Sequence, residues 1–159
     1  MRKLGFITLF LLGLCGLNLS QAQEVTWLSF SQLDSALSKE ARPVFIDFYT
    51  SWCTYCRKMD KEVFTKPDIA QKLNEDFYAV KMDAETRDII QFDGQQWQNK
   101  QASDKRDGFH ELAMLLGARN GEFAPPAMLF LSKEFEIEAR YFEYLTSKKL
   151  LKYLGRYSQ

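Results

Sequence analysis

The sequence has few metal-binding residues and no excess charge of either sign. It contains one histidine and three cysteines in 159 residues, and its 21 basic residues balance 21 acidic ones. A structural zinc site needs four ligands, and Cys15 and His110 do not form the second pair that Cys53 and Cys56 would require. We therefore expect neither a metal nor another cofactor. The absence of a basic excess also gives no reason to expect nucleic-acid binding.

Residues 1–22 have the pattern of a secretory signal peptide. Two basic residues precede an apolar run from Leu4 to Leu19, and Ser20-Gln21-Ala22 forms a small-x-small cleavage pattern. We expect cleavage after Ala22, secretion across the inner membrane into the periplasm, and a mature domain over 23–159. The alternative is that an uncleaved N-terminal segment anchors the protein in the membrane.

Removal of this segment would take Cys15 with it and leave only Cys53 and Cys56. An exported protein with a single cysteine pair is not a disulfide scaffold, so its hydrophobic core must stabilise it. The length suits one domain, and we expect a monomer. The mature charge would be 19 − 21 = −2, because the segment carries two basic residues and no acidic ones.

The cysteine pair lies between a predicted strand and a predicted helix. The run Val44–Tyr49 is almost continuously apolar, as in a strand covered on both faces. Cys53 opens a segment with helical spacing, where free N–H groups and the helix dipole favour a nucleophilic thiolate. Cys56 follows about one turn later and can close a disulfide. A purely structural disulfide is a weaker interpretation, because so short a loop restrains little of the unfolded chain.

These residues resemble the thioredoxin superfamily. The similarity includes a strand aspartate, a tryptophan before the first cysteine, a strand lysine and a proline before a strand, here Asp47, Trp52, Lys81 and Pro126. It covers roughly Trp27 to Tyr157. The run Cys56–Phe64 is most similar to periplasmic thioredoxin-like proteins and to the C-terminal domain of the disulfide reductase DsbD.

The resemblance implies an α/β thioredoxin fold, with a central mixed sheet flanked by helices. A stretch of about 84–123 is longer than that fold requires and forms an insertion before the cis-proline loop. Cys53 would attack a substrate disulfide and Cys56 would resolve the mixed disulfide. Asp47 would accept the proton of Cys56 if burial raises its pKa, and Lys81 would temper that rise. The implied substrate-binding residues are Trp52, Tyr55, Pro125 and Pro126.

Apolar periodicity and capping patterns predict the individual elements. The predicted strands are Val25–Leu28, Val44–Tyr49, Phe77–Met82, Met128–Leu131 and about Ile137–Tyr144. Five helices are predicted. The first runs from the Ser29 cap to about Ala41, and the others are Cys53–Phe64, Pro67–Leu73, Gly108–Leu116 and Ser147–Leu154. We expect Asp107 to cap the fourth helix, Leu112, Leu115 and Leu116 to point inward, and His110 to lie on the surface. Phe92 and Trp97 would fix the insertion to the domain.

The predicted function is a thiol–disulfide oxidoreductase that acts on disulfides of exported proteins. Reduction or isomerisation is favoured over net oxidation, because Thr54 and Tyr55 place no cation between the cysteines. Its partners would be protein thiols and disulfides, with an upstream electron donor such as a membrane disulfide reductase. Glu143 near the groove and Pro125, which has no N–H, predict a narrow substrate range. The alternatives are a non-catalytic binding or chaperone-like module, and a thiol peroxidase that would use Thr54 and Arg57.

Overall fold

The computed structural model describes residues 24–103 and 108–158, so the predicted signal peptide and Asp107 lie outside the described residues. Helices and strands alternate along this part of the chain. In order they are α1 (Phe30–Leu37), β1 (Val44–Tyr49), α2 (Thr54–Glu62), α3 (Pro67–Asp76), β2 (Tyr78–Asp83), β3 (Ile90–Phe92), β4 (Gln95–Trp97), α4 (Glu111–Gly117), β5 (Ala127–Leu131), β6 (Ile137–Tyr141) and α5 (Ser147–Tyr157). A 3-10 turn, Lys100–Ser103, follows β4.

A mixed four-stranded sheet with the order β2-β1-β5-β6 forms the centre of the fold. The pair β1–β2 is parallel, and α2 and α3 form its crossover connection, whereas β5 runs antiparallel to both β1 and β6. The apolar run of β1 is explained by its position, since β1 lies between two other strands and its first five residues are buried. The predicted thioredoxin fold is confirmed.

Each face of the sheet has its own hydrophobic core, because successive strand side chains point to opposite faces. Val44, Ile46 and Phe48 pack in a cluster that includes residues of α1 and α4. Phe45 packs on the opposite face, in a cluster with residues of α2, α3 and α5. Asp47 follows Phe45 by two residues, so its side chain points to the same face of the sheet, which is the face that α2 covers.

Several predicted boundaries differ from the structure. The expected strand Val25–Leu28 is reduced to a single parallel bridge between Leu28 and Val80. The capping box of Ser29 and Gln32 is present, but α1 ends at Leu37. Strand β6 ends at Tyr141, which is the last residue paired with β5. The following segment to Thr146 belongs to the connection that caps α5.

The insertion contains a β-hairpin that the sequence analysis does not predict. Strands β3 and β4 pair through Asp93 and Gly94, whose φ angles are 53° and 66°. Two positive φ angles are typical of a type I′ turn, and Asp-Gly is a strong sequence signal for that turn. The polar composition of this stretch led the sequence analysis to a loop instead. Phe92 is buried and its ring lies 5.1 Å from that of Phe30, which confirms that Phe92 fixes the insertion to the domain.

Helix α4 starts later than predicted and has a different cap. His110 is the N-cap, and its Nδ1 accepts from the N–H of Leu112. The predicted cap, Asp107, lies outside the described residues. The prediction that His110 lies on the surface is wrong, because its exposure is 0%. Leu112 and Leu116 are buried as expected, but Leu115 is 58% exposed and does not point inward.

Candidate active site

The two cysteines lie where the chain leaves β1 and enters α2. Cys53 is the N-cap of α2, its Sγ accepts from the N–H of Cys56 at 3.1 Å, and the two sulfurs form a disulfide. Both residues are only 4% exposed. The two residues are therefore equally buried in the oxidised protein. The helix start supplies the N–H donor that can stabilise negative charge on Cys53.

Asp47 is a buried acid on the face of the sheet that α2 covers. It is 2% exposed, and burial is the largest influence on its carboxyl group, raising its pKa from 3.8 to about 6. The nearby charge of Lys81 opposes this rise, while that of Asp60 adds to it. Asp47 thus has the raised pKa that proton exchange near neutral pH requires.

Lys81 lies between two carboxylates. Its Nζ is 3.6 Å from Oδ2 of Asp47 and forms an ion pair with Oδ1 of Asp60. The aromatic rings of Trp27, Tyr49 and Phe64 lie 5.1–5.5 Å from the same Nζ. The sequence analysis did not identify Asp60, although it follows Cys56 by one helical turn and so lies on the same side of α2.

The residues beside the cysteines project into solvent and are held by other elements. Trp52 and Tyr55 are 55% and 59% exposed. The Nε1 of Trp52 donates to Oε1 of Glu85 at 3.0 Å, and the ring of Tyr55 lies 6.2 Å from that of Tyr144. The sequence patterns gave no indication of Glu85 or Tyr144, because both contacts join distant parts of the chain.

The proline loop and the cysteine loop lie at the same end of the central strands. The Pro125–Pro126 peptide bond is cis, and the next residue, Ala127, pairs with Phe48 near the end of β1. Pro126 therefore lies just before the start of β5, and that start is next to the end of β1, from which the chain continues to Cys53. Glu143 is exposed, with its Oε1 3.5 Å from Nζ of Lys149.

Two further findings concern metals and membranes. Over residues 24–103 and 108–158, no three or more His, Cys, Asp or Glu side chains are grouped so that they could hold a metal ion. Among the helices in the same two ranges, none combines the length and the apolar character needed to cross a membrane.

The sheet order, the helices on both faces and the Cys-x-x-Cys pair at the start of α2 define a member of the thioredoxin superfamily. Residues 16–145 match the family described as "Thioredox_DsbH: Protein of unknown function, DUF255", and the chain belongs to that family.

The chain is also similar to individual proteins, one of which is named for thiol–disulfide interchange. Over 46 residues it is 39% identical to "Thiol:disulfide interchange protein DsbD" of Klebsiella pneumoniae, which covers 28% of this chain and 8% of that protein. The oxidised C-terminal domain of Neisseria meningitidis DsbD has a TM-score of 0.54 and 20% identity, over 79% of this chain and 90% of that one. A thioredoxin from Thermus thermophilus has a TM-score of 0.57 and 21% identity, over 84% and 86%. The two structural similarities support the fold alone.

Proposed function

We propose that this protein is a thiol–disulfide oxidoreductase that reduces or isomerises disulfides of exported proteins. The observation that carries the proposal is the disulfide between Cys53 and Cys56 at the N-terminus of α2, with the buried acid Asp47 on the sheet face below that helix. A disulfide that closes a loop of so few residues contributes little as a structural crosslink. Its position at a helix start, in contrast, suits a nucleophilic thiolate.

The reaction begins with the reduced cysteine pair. The thiolate of Cys53 attacks one sulfur of the substrate disulfide, which forms a mixed disulfide and releases the other substrate sulfur as a thiolate. Cys56 then loses its proton and attacks Sγ of Cys53. This step closes the Cys53–Cys56 disulfide and releases the second substrate thiolate. Two electrons pass to the substrate, and a dithiol donor must reduce the pair again before the next cycle.

In this scheme Asp47 accepts the proton of Cys56, directly or through water. A carboxyl group with a pKa of about 6 is partly protonated near neutral pH, so it can both accept and return a proton. Lys81 keeps that pKa from rising further. The roles of Asp47 and Lys81 are thus connected, and both lie next to each other in the register of β1 and β2.

The setting of the reaction is part of the same proposal. We infer a signal peptide over 1–22, a mature monomeric domain over 23–159 in the periplasm, and an upstream electron donor of the membrane disulfide reductase type. Substrates would bind beside Trp52 and Tyr55 and along Pro125 and Pro126. Pro125 has no N–H and can only accept a hydrogen bond from a bound strand, which supports a narrow substrate range.

Three measurements test the proposal. The purified reduced protein should reduce insulin disulfides, but more slowly than a standard thioredoxin, as its narrow substrate range requires. Alkylation near neutral pH should modify Cys53 before Cys56. The Cys56→Ser variant should accumulate mixed disulfides with substrates, whereas Cys53→Ser should not. Faster labelling of Cys56, or better trapping by Cys53→Ser, would reverse the assigned roles. Substrate binding without any disulfide reduction would favour the non-catalytic binding module.

The thiol peroxidase alternative has no observation in its favour. It would need a donor such as Arg57 directed at the attacking sulfur. The guanidinium of Arg57 instead donates to the carbonyl of Ser51 at 2.6 Å and to Oγ1 of Thr54 at 3.3 Å. The side chain is thereby held against the loop that precedes α2.

A further inference from the structure

Positive charge is concentrated on the last helix of the domain. The eleven residues of α5 include no acidic residue and four exposed basic residues, which we call the basic stripe: Lys148, Lys149, Lys152 and Arg156. The other residues of 23–159 contain 15 basic and 21 acidic residues, so they carry a charge of 15 − 21 = −6. The even overall balance thus hides a helix of +4 on an acidic domain.

The basic stripe follows the side of α5 that faces away from the core. Lys148, Lys152 and Arg156 recur every four residues, so they succeed one another along one face at intervals of about 6 Å. Leu150 and Leu154, on the opposite side of the helix, are completely buried in the core on the α2 face of the sheet. The basic stripe therefore projects into solvent.

Most of this charge is not neutralised by the protein itself. Nζ of Lys149 lies 3.5 Å from Oε1 of Glu143, and both side chains are about half exposed. Within residues 24–103 and 108–158, no carboxylate lies at ion-pair distance from Lys148, Lys152 or Arg156. Three of the four cations are therefore available to an external anion.

The placement of these charges opposes the stability of the helix. Lys148 and Lys149 lie in the first turn of α5, which contains no acidic residue, although the helix dipole favours acidic residues there. Like charges four residues apart, as in Lys148 with Lys152 and Lys152 with Arg156, repel each other as well. Folding therefore does not explain the basic stripe, and an interaction with an anionic partner does.

The chemistry of the basic stripe fits a lipid surface. Three of its four residues are lysines, whose ammonium groups are flexible point charges, whereas arginine is typical of paired contacts with a single carboxylate or phosphate. Lysine-rich polar faces of surface helices bind anionic lipids. A row of exposed lysines along one helix suits a flat surface of diffuse negative charge better than it suits one acidic side chain.

The basic stripe lies beside the sheet, whereas the cysteine loop lies at the end of its strands. Strand β6 precedes α5, and its last residue, Tyr141, pairs with Met128 near the cysteine end of the sheet. At the other end of α5, the ring of Tyr157 lies 4.8 Å from that of Phe130, which pairs with Phe45 near the start of β1. Helix α5 therefore runs away from the cysteine loop, and a surface bound along it leaves the disulfide accessible.

We propose that the basic stripe of α5 is a docking surface for a bilayer that contains anionic phospholipids. Docking holds the domain beside the membrane disulfide reductase that we propose as its electron donor. The interaction is electrostatic and reversible, because the apolar side of α5 is buried in the core and does not insert into the lipid. This inference goes beyond the proposed function and does not depend on catalytic activity.

Partitioning onto lipid vesicles tests the proposal. The protein is mixed with vesicles of phosphatidylcholine alone or of equal parts phosphatidylcholine and phosphatidylglycerol, and the bound fraction is measured by sedimentation. The neutral vesicles report any binding through the apolar run Leu4–Leu19. The additional binding to anionic vesicles should be strongest at low salt and should be lost at about 0.5 M salt, where charges are screened over a few ångströms.

Two double variants with the same change in net charge separate the basic stripe from overall charge. Lys148→Gln with Lys152→Gln should lower the partition coefficient on anionic vesicles about 25-fold, because each basic residue near such a surface contributes about fivefold. Lys39→Gln with Lys133→Gln removes two exposed lysines outside α5 and should bind as wild type does. The stripe variant should unfold at an equal or higher temperature, since it removes repulsion within α5, so its loss of binding is not a loss of folding.

Three results would overturn the docking surface. The first is equal binding of the wild-type protein to neutral and anionic vesicles, and the second is an equal loss of binding in the two double variants. The third is binding to soluble polyaspartate without binding to anionic vesicles, because the partner would then be an acidic protein. If the protein binds anionic vesicles through the basic stripe but reduces no disulfide, the oxidoreductase proposal fails and the docking surface stands.

Discussion

Asp47 and Lys81 are direct neighbours in the parallel register of β1 and β2, with Nζ of Lys81 3.6 Å from Oδ2 of Asp47. The lysine also forms an ion pair with Asp60 on α2, so its one ammonium group is shared by a buried carboxylate and a more exposed one. Asp47 therefore receives only part of the compensation that a dedicated ion pair would give. Its burial prevails, and its pKa rises to about 6.

The first prediction concerns catalysis by Asp47. The Asp47→Asn variant removes the expected proton acceptor of Cys56, so release of mixed disulfides should slow by about 10²-fold or more at neutral pH. Formation of the mixed disulfide by Cys53 should change far less. Stopped-flow mixing with quantification of the mixed disulfide separates the two steps. Wild-type rates for both steps would exclude Asp47 from the proton transfer.

The second prediction concerns the stability of the oxidised protein. Because the pKa of Asp47 is raised from 3.8 to about 6, ionisation of the folded protein is unfavourable, and stability is lost as pH rises through this window. An asparagine at this position cannot ionise. The free energy of unfolding of Asp47→Asn, relative to wild type, should therefore increase by about 2 kcal/mol between about pH 4 and pH 7. Urea unfolding at both pH values measures it, and a constant difference would contradict the raised pKa.

The third prediction uses two variants that should shift the pKa of Asp47 in opposite directions. Lys81→Met removes a positive charge that lowers the pKa of Asp47, so that pKa should rise. Asp60→Asn removes a negative charge that raises it, so the pKa of Asp47 should fall. The carboxyl carbon resonance of Asp47, followed by NMR through a pH titration, reports both. Shifts in the same direction would mean that the two charges do not act as the geometry indicates.

The fourth prediction concerns the buried histidine of the insertion. Nδ1 of His110 accepts from the N–H of Leu112, and Nε2 lies 3.3 Å from the carbonyl oxygen of Asp88, which suits a neutral ring with the proton on Nε2. Burial lowers the pKa of His110, although hydrogen bonds to the backbone of Asp88 and Trp97 and the charges of Glu111 and Asp88 oppose this. Stability should therefore be complete above about pH 6.5 and decline as pH falls below it.

The His110→Asn variant tests this dependence. Asparagine is a good N-cap and does not titrate, so the variant should lose the decline in unfolding free energy between about pH 7 and pH 5. Its stability at about pH 8 should be lower than that of wild type, because the contact with Asp88 is lost. If wild type and variant have parallel stability curves, His110 does not titrate in this range.

The fifth prediction contrasts two glycines. A Cβ atom on Gly108 would lie 2.5 Å from the carbonyl carbon of Gln101, whereas a Cβ on Gly155 in α5 would meet nothing within 4 Å. Gly108→Ala should therefore destabilise the protein, and Gly155→Ala should stabilise it by about 0.5–1 kcal/mol through helix propensity. Thermal unfolding of both variants checks the pair. A stabilising Gly108→Ala would mean that the insertion packs less tightly than the structure indicates.

Local sequence patterns predict the centre of this protein. The apolar run of β1, the single acid within it and the cysteine pair at the next helix start are local patterns, so their spacing predicts both their elements and their proximity. The Ser29 cap is predictable for the same reason, because a cap depends on residues within one turn. These features indicate the two reactive cysteines, and the resemblance that they carry implies the thioredoxin fold.

The contacts around that centre depend on tertiary packing. Glu85 reaches Trp52 across 33 residues of sequence, and Asp60 reaches Lys81 across 21. No local periodicity encodes such contacts, because they depend on how the elements pack against one another. The burial of His110 has the same origin: its short helix is amphipathic, but only its packing against the domain hides the ring. Packing therefore determines which charges lie near Asp47 and which side chain Trp52 contacts, while the local sequence determines the reactive groups themselves.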